Sequence, residues 1–369
     1  MKFKKPKKIV LLNSSLAGGG SERVCVNIAN SFAKKGWQVD LVILNLNNQA
    51  YLQYISSNVN LIVLNVKHAR NSAIHVLKYI FKNKPKAIFV FNIELSIILV
   101  ILRLLFRFKI RIIARNTSTL SIRIKEFQEK KPLLSFVAKP LIKFFYSKID
   151  KVINQCNGMS EDLINTIPNL NKKSIVIYNP ISSQIIDYSN KNDLTQIKKN
   201  NYLLCVGRLE EVKAYHYAIE SFAGISNNFS NLRLKIVGQG SLEQELKLKA
   251  IHCRVENKVD FEGFQKNIIP YYLYANATIL TSLYEGYPNV LIESIALNTP
   301  VVAFNCQNGP NEIIQNGVNG YLVKYKSVDD LKKKLEMTLN NNFDYKDLKK
   351  SIKKNQIEYV QEHWEKLIN

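Results

Sequence analysis

The sequence predicts an α/β protein made of two doubly wound domains that face each other across a cleft. Its 369 residues are about twice the usual length of one domain. Apolar residues make up 46% of the chain, enough to give each half its own core. Short β-branched runs alternate with stretches of helical length in both halves, which is the pattern of parallel sheets covered by helices.

Seven β-branched runs predict strands in the first half, and most are separated by stretches of helical length. The first helix is expected at 24–35, directly after the first strand. The predicted strands are 9–12, 39–44, 61–66, 87–91, 110–114, 151–154 and 174–178.

A polar segment at 182–201 interrupts this alternation and is the predicted linker. The strands predicted after it are 202–206, 232–237, 258–261, 277–281 and 301–304, with helices beginning near Lys213, Ser241, Asn289 and Ser327. A polar helix at 345–367 ends the chain. The predicted domains are therefore 1–181 and 182–344, followed by a terminal helix within 345–369.

The charge of the chain is unevenly distributed. Residues 1–185 carry 29 Lys and Arg against 8 Asp and Glu, a net +21, whereas residues 186–369 carry 23 against 21, a net +2. Codon bias would raise the lysine content of both halves alike. The asymmetry therefore favours an anionic partner for the first half, although a Lys- and Asn-rich genome remains the alternative.

The cysteines and the apolar runs indicate a cytosolic protein without a membrane span. The five cysteines form no Cys-x-x-Cys pair and no Cys/His cluster, so they read as reduced core residues. The basic residues 1–8 run into a four-residue apolar stretch that is too short for a signal peptide. The longest apolar run, 95–106, contains Arg103 and is too short to cross a bilayer.

A glycine-rich turn, 17–23, follows the first predicted strand. Gly18 and Gly19 would let backbone amides approach a ligand closely, and the start of the following helix favours an anion. The spacing is not that of the dinucleotide fingerprint. An ordinary tight turn is the alternative.

Two cations follow the strand at 202–206. Arg208 lies at the strand's carboxyl end and Lys213 near the start of the next helix. A guanidinium fork and an ammonium group suit a diphosphate leaving group, on which negative charge grows as the sugar bond breaks. Two solvated surface cations are the alternative.

Two carboxylates flank a predicted helix start in the segment 282–293. Glu285 lies in the loop and Glu293 one turn into the helix, so both can face one ligand. Carboxylates accept hydrogen bonds from vicinal sugar hydroxyls. The helix-start residues are Pro288 and Asn289, and the amides near Val290 and Leu291 could hold a phosphate.

At this point the chain resembles the retaining glycosyltransferases of family 4, which have the GT-B fold. The resemblance covers nearly the whole chain, and the motifs are specific in combination. They are Gly18-Gly19, Val206-Gly207-Arg208 with Lys213, Ile236-Val237-Gly238-x-Gly240, Phe261-x-Gly263-Phe264, Glu285 with Glu293, Gly309-Pro310-x-Glu312-Ile313-Ile314 and Asn319-Gly320-Tyr321-Leu322-Val323.

The resemblance implies a role for each matching residue. The second domain would hold a nucleotide diphosphate sugar, with UDP as the family's commonest nucleotide, and the first domain would hold the acceptor. Arg208 and Lys213 would bind the diphosphate, Glu285 the transferred sugar and Glu293 the ribose, so the catalytic set is Arg208, Lys213 and Glu285. The other implied donor contacts are Gly18, Gly19, Phe264, Gly286, Pro288, Asn289, Val290 and Leu291.

One position departs from the family pattern. Many members carry a His after the fifth strand, where this chain has Arg115 and Asn116. Together with Glu22 these two residues are the candidates for the acceptor side, and a contact of Arg115 with the donor phosphate is the alternative. The chain contains no Asp-x-Asp, so neither a metal ion nor any other cofactor is expected beyond the sugar nucleotide. In the family's fold the terminal helix crosses back to the first domain.

The segment 131–148 is the candidate for membrane contact. Lys139, Lys143 and Lys148 recur near helical spacing among large apolar side chains. Such a helix can lie on an anionic lipid surface, and a core-facing helix with extended lysines is the alternative. Peripheral attachment to the inner face of the cytoplasmic membrane is the expected location.

The predicted activity is transfer of a hexose or N-acetylhexosamine to a membrane-associated glycan or glycolipid. The product would belong to surface polysaccharide, lipopolysaccharide or lipid-linked oligosaccharide synthesis. A phosphorylase or epimerase acting on sugar nucleotides is the enzymatic alternative. A catalytically inactive sugar-binding subunit is a further alternative. A nucleic-acid-binding protein would also suit a pI of 9.6, but no nucleic-acid-binding signature is found in the sequence, and no specific nucleic acid is expected as a partner.

Overall fold

The computed structural model describes residues 7–47 and 50–368, without the side chains of Leu134 and Val137. Most of the predicted basic tail, residues 1–6, lies outside the described residues. The chain folds into two compact units that divide after Pro180 and after Gln356, so the last residues belong to the first unit. Both units are α/β, as predicted.

The strands match the predicted segments within a few residues, with one addition. The predicted set lacks the last strand, which has only four residues and begins with a glycine, a residue that is depleted in strands. The strands are β1 Lys8–Asn13, β2 Gln38–Ile43, β3 Val59–Val63, β4 Ala87–Val90, β5 Arg111–Arg115, β6 Lys151–Asn154, β7 Ser174–Val176, β8 Tyr202–Val206, β9 Arg233–Val237, β10 Val259–Gly263, β11 Ala277–Leu280, β12 Val301–Phe304 and β13 Gly320–Val323.

The helices fill the intervals between these strands. They are α1 Gly20–Lys34, α2 Ala73–Asn83, α3 Ile93–Phe106, α4 Leu120–Lys130, α5 Pro132–Tyr146, α6 Asn157–Thr166, α7 Ser183–Lys191, α8 Tyr215–Ile225, α9 Glu243–His252, α10 Ile269–Tyr274, α11 Asn289–Ala296, α12 Pro310–Ile313, α13 Val328–Leu339, α14 Tyr345–Ser351 and α15 Ile357–Ile368.

In the first unit the described strands form one parallel sheet in the order β3-β2-β1-β4-β5-β6-β7. The chain builds outward from β1 on one side and then returns to build on the other. Side chains alternate between the two faces. Val10 and Leu12 pack with residues of α2 and α3, and Ile9 and Leu11 pack with α1 and α15. The strands are apolar on both faces because helices cover both.

The last helix, α15, completes the first unit. Its Trp364 is buried and stacks on Phe89 of β4, with ring centroids 4.8 Å apart, and on Phe91, at 5.9 Å. Ser31 of α1 donates a hydrogen bond of 2.5 Å to Gln361. Residues far apart in the sequence therefore share one core layer.

In the second unit the described strands form a parallel sheet in the order β10-β9-β8-β11-β12-β13. The helices α8, α9 and α13 pack together, and α11 packs with α7, α10, α12 and α14. The core between the sheet and the first group contains Phe222, Leu234 and Leu335. The strands are again added outward from the first one: β9 and β10 lie on one side of β8, and β11 to β13 lie on the other. The order of addition therefore reverses between β8 and β11.

Three sequence predictions are wrong in detail. The predicted linker at 182–201 is folded: it forms α7, and Lys199 donates hydrogen bonds to the carbonyl oxygens of Leu273 and Asn298 at 2.9 and 2.8 Å. The predicted helix at 345–367 is two helices, because the chain turns between α14 and α15. The first helix begins at Gly20, four residues earlier than expected, since glycine is a weak helix signal.

We predict that Trp364→Ala lowers the free energy of unfolding of the first unit by about 3–5 kcal/mol, since it removes a large buried side chain. Trp37, the other tryptophan, belongs to the same unit and remains as the fluorescence reporter during urea unfolding. The control is Tyr359→Ala, an exposed position on the same helix. Equal effects of the two substitutions would contradict the packing of α15 described above.

Candidate functional site

The carboxyl ends of β8 and β11 meet at the point where the second sheet reverses its strand order. Ligands of open α/β sheets bind at such switch points, outside the carboxyl ends of the strands. The segments that leave these two strands contain Arg208, Lys213 and Glu285. The topology therefore brings the predicted catalytic residues to the same edge of one sheet.

Glycines allow the turns after β8 and β9 to pack against each other. Gly207 has a φ of +153° and donates a backbone hydrogen bond to Val237 at 2.9 Å. A Cβ atom at Gly238 would collide with the carbonyl oxygen of Gly207. A side chain at Gly238 would therefore push the β8 turn, and Arg208 with it, away from its observed place.

Lys213 and Glu285 form the central contact of this edge. The Lys213 ammonium lies 2.6 Å from the Glu285 carboxylate, and the two side chains are only 18% and 14% exposed. Arg208 is exposed, and no described residue pairs with its guanidinium. The site thus contains one cation balanced by a carboxylate and a second cation open to a ligand.

Backbone hydrogen bonds fix the two loops that carry this ion pair. The amide of Leu283 donates to the carbonyl of Val212 at 2.8 Å, and the amide of Glu285 donates to Gln307 at 3.2 Å. The hydroxyl of Thr281 donates to the carbonyl of Lys213 at 2.9 Å. The ion pair is therefore pre-organised by the scaffold.

Glu293 lies one turn into α11 but is more enclosed than the sequence suggests. It is buried, and it accepts a hydrogen bond of 3.3 Å from the Tyr272 hydroxyl. The amide of Leu291 donates to the carbonyl of Pro288 at 3.1 Å, so a phosphate at this position would have to share that donor. Val290 lies in the first turn, where amides have no intrahelical acceptor.

The remaining predicted donor contacts lie around this helix or at the edge of the sheet. Gly286 and Asn289 are partly exposed beside Glu285 and at the start of α11. Phe264 follows β10, which is two strands away from β8, and its ring is exposed.

Tyr215 and Cys306 belong to the same neighbourhood and were not predicted. The Tyr215 hydroxyl is buried without a hydrogen-bond partner and lies against Gly207. Burial, and next the Glu285 carboxylate, raise the pKa of the Cys306 thiol to about 12. Neither residue forms a recognisable motif, because their proximity depends on the folded loops.

The glycine turn of the first unit lies at the start of α1. Gly18 has a φ of +101°, and the Tyr51 hydroxyl donates to its carbonyl at 3.3 Å. Gly19 caps α1 without a side chain, and the Glu22 carboxylate folds back against it. An acidic group therefore already lies at the helix end where an anion was expected.

Arg115 and Asn116 end β5, but the structure separates their roles. Arg115 is 3% exposed and donates a hydrogen bond to Asn179. Asn116 is bonded instead to Tyr146 of α5, which donates to its Oδ1 at 2.6 Å, and to Asn154 at 2.7 Å. Asn116 is therefore a packing contact, whereas Arg115 retains an unused donor.

Two features are absent from the residues that the structure describes. None of their helices combines the length and the hydropathy needed to cross a bilayer. Among them, no group of three or more His, Cys, Asp or Glu side chains has an arrangement suited to a metal ion. The cysteines among them are all free, and Cys253 is the least buried.

The chain is similar to several glycosyltransferases of known sequence or structure. The N-acetylgalactosaminyltransferase of Campylobacter jejuni that acts on N-acetylgalactosamine-N,N'-diacetylbacillosaminyl-diphospho-undecaprenol is 26% identical over 91% of both chains. An amylovoran biosynthesis glycosyltransferase of Erwinia amylovora is 26% identical over 87% of this chain and 86% of its own. The HepE protein of Anabaena in complex with UDP superposes with a TM-score of 0.77 at 16% identity, covering 98% and 99% of the two chains.

Two family profiles divide the chain between them. Residues 18–184 match the profile described as Glycosyltransferase Family 4, and residues 188–358 match that of Glycosyl transferases group 1. The matches leave only three residues between them and follow the two parallel sheets. The chain therefore belongs to the family 4 glycosyltransferases of the GT-B fold, which use nucleotide sugars.

Proposed function

We propose that this protein transfers a hexose or N-acetylhexosamine from a UDP-sugar to a membrane-associated glycan or glycolipid. In this proposal the anomeric configuration is retained, and no metal ion takes part. The observation that carries the proposal is the Lys213–Glu285 ion pair beside the exposed Arg208. A sugar diphosphate offers oxyanions to the two cations and hydroxyls to the carboxylate. The known substrates and products named for the Campylobacter and Erwinia enzymes support a role in lipid-linked glycan or surface polysaccharide synthesis.

In this proposal the second unit stabilises the leaving diphosphate. Arg208 and Lys213 hold its oxygens, and their charges compensate the negative charge that develops as the sugar–phosphate bond breaks. Glu285 accepts hydrogen bonds from the sugar's hydroxyls. Glu293 remains the candidate for binding the ribose hydroxyls. To do so it would have to accept their hydrogen bonds in addition to the one from the Tyr272 hydroxyl.

Retention follows if the acceptor attacks from the face that the phosphate leaves. The acceptor oxygen then forms the new bond to the anomeric carbon while the sugar–phosphate bond breaks. The acceptor's proton passes to an oxygen of the departing phosphate, so no protein base is required. A phosphorylase or an epimerase would instead give products without an added acceptor, and product analysis separates these reactions.

We predict that UDP binds in the presence of EDTA and that Arg208→Ala weakens this binding about tenfold or more, about 1.4 kcal/mol. The reason is the loss of a charge-assisted hydrogen-bond donor to the diphosphate. Calorimetry with UDP, and with GDP for comparison, measures the effect.

The matched control is Arg254→Ala, which removes an exposed arginine from the turn that precedes β10. It lies at the opposite edge of the sheet and should leave UDP binding unchanged. Absence of UDP and GDP binding by the unmodified protein would refute the proposal. Equal losses of UDP affinity in the two variants would show that Arg208 contributes only to the overall positive charge and does not contact the diphosphate.

We predict that Lys213→Met lowers the thermal stability of the second unit by about 1–3 kcal/mol, because it leaves the largely buried Glu285 carboxylate without its cation. Adding Glu285→Gln should recover much of this loss. It should not recover UDP binding, because the cation for the diphosphate is still missing. Scanning calorimetry and UDP titration of Lys213→Met, of Glu285→Gln alone and of the double variant complete the cycle. Recovery of UDP affinity in the double variant would show that Lys213 acts only as the partner of Glu285.

For the acceptor side, we propose that α5 brings the protein to an anionic membrane. Leu133 and Phe136 are 91% and 87% exposed, and Lys139 on the same helix is also exposed. A helix that packs its apolar side chains into the core would bury them instead. The adjoining helix α3 exposes Leu105 and Phe106 at its carboxyl end. Apolar side chains surrounded by lysines suit insertion into a negatively charged lipid surface.

We predict that Leu133→Ser/Phe136→Ser weakens binding to vesicles containing phosphatidylglycerol about tenfold or more, since each large apolar side chain contributes about 1.5–3 kcal/mol when buried. Co-sedimentation measures the effect, with pure phosphatidylcholine vesicles as the low-affinity reference. The matched control is Leu248→Ser/Ile251→Ser, two exposed apolar positions on α9 of the second unit. An unchanged affinity in the α5 variant would exclude this helix as the contact.

A further inference from the structure

Two buried hydrogen-bond donors among the described residues of the first unit have no oxygen or nitrogen acceptor. They are Nη1 of Arg115 and Nδ2 of Asn13, and the Asn13 side chain has only the weakly accepting Cys25 thiol beside it. Both side chains are almost completely buried, at 3% and 2% exposure. Buried polar groups in folded proteins nearly always have a partner. Two unsatisfied donors in one neighbourhood therefore require an explanation.

The sheet register places these two residues close together. Leu12 of β1 is paired with Val90 of β4, and Val90 is paired with Ala114 of β5. Asn13 and Arg115 are the residues that follow Leu12 and Ala114, so they lie at the same level of the sheet. The strand order β1-β4-β5 leaves only Phe91 between them. The Arg115 guanidinium lies 5.5 Å from the centre of the Phe91 ring. Both donors are thus at the carboxyl edge of the first sheet, beside its switch point.

The other half of the Arg115 guanidinium is held by neutral amides. Its Nη2 donates to Asn179, whose own amide donates to Gln155 at 3.0 Å. Gln155 in turn donates to the carbonyl of Asn116 at 2.8 Å. This chain of amides fixes the plane of the guanidinium. Nη1 is therefore pre-organised, with its direction set before any ligand arrives.

No described carboxylate forms an ion pair with Arg115. Burial lowers the pKa of Arg115 to about 10, so the guanidinium remains charged at neutral pH. The nearby Cys25 thiol cannot serve as a counter-ion, because burial raises its pKa. A buried charge without a partner is costly, which favours an external anion as the missing partner.

We propose that Arg115 and Asn13 bind a phosphate oxygen at the carboxyl edge of the first sheet. An oxyanion accepts hydrogen bonds without donating any, so one such oxygen can satisfy both donors. Both donor atoms are shielded from solvent, so binding has to open the site.

The phosphate has two possible sources if the proposed function holds, on which this identification rests. It belongs either to the diphosphate of the sugar nucleotide or to the phosphate of a lipid-linked acceptor. Both offer the same oxyanion chemistry. Three probes separate them: UDP for the nucleotide, farnesyl diphosphate for a prenyl-linked acceptor, and inorganic pyrophosphate for the shared group.

The decisive variant is Asn13→Asp, which changes an amide into a carboxylate of the same shape. The hydrogen bond that Ser14 donates to Oδ1 at 2.8 Å can be kept. The new carboxylate adds a negative charge at the same edge of the sheet as Arg115, and this charge repels phosphate. We expect pyrophosphate binding, measured by calorimetry on the full-length protein, to weaken about tenfold or more. Thermal unfolding checks that the variant is folded.

The source follows from the other two probes. Weaker binding of UDP assigns the site to the donor, and weaker binding of farnesyl diphosphate alone assigns it to the acceptor. The matched charge control is Arg111→Gln, at the amino end of the same strand, which should leave all three affinities unchanged. If Asn13→Asp does not fold, Arg115→Lys takes its place, since it keeps the charge and loses the second donor.

Unchanged affinity of the folded Asn13→Asp variant for pyrophosphate and for both diphosphates would overturn the inference and make Arg115 a structural residue. No binding of pyrophosphate or farnesyl diphosphate by the unmodified protein, together with no effect of the variant on UDP, would also overturn it. Failure of the proposed function looks different, because the unmodified protein would then bind neither UDP nor GDP while the effect on pyrophosphate could persist.

Discussion

Every described strand pairing in both sheets is parallel, and this constraint determines where chemistry can occur. Parallel strands place all of their carboxyl ends along one edge, so the loops that follow them converge there. In the second sheet this edge collects Arg208, Lys213 and Glu285. In the first it collects Asn13, Gly18 and Arg115. Each unit therefore concentrates its polar side chains at the reversal point of its sheet, although these residues are far apart in the sequence.

The carboxyl edges of the two sheets differ in whether a carboxylate neutralises their buried cation. In the second unit, Lys213 is neutralised by Glu285, and both lie on loops tied down by backbone hydrogen bonds. A ligand that offers both an oxyanion and hydroxyls can exchange with this internal pair at a small net cost in charge. In the first unit, Arg115 donates to the neutral amide of Asn179 and lies over the ring of Phe91. None of the described carboxylates forms an ion pair with it.

The surface of the first unit shows how composition and structure inform each other. The net charge of +21 in residues 1–185 suggested an anionic partner, but charge alone cannot distinguish a nucleic acid from a lipid surface. The exposure of Leu133 and Phe136 on α5 favours lipid, because phosphate backbones do not require large apolar side chains. Tyr146, on the same helix, is buried and bonded to Asn116, which anchors α5 to the sheet.

The sequence by itself determined the α/β class, the strands and the motifs, because hydrophobic period and glycine position are local properties of the chain. It did not identify β13, the folded segment after Pro180, or the break between α14 and α15, where tertiary packing outweighs weak local signals. Only the tertiary structure could separate Arg115 from its neighbour Asn116, bury Glu293 against Tyr272, and bring Asn13 close to Arg115. Those relations depend on strand order and on the face to which each side chain points, and neither is fixed by spacing along the chain.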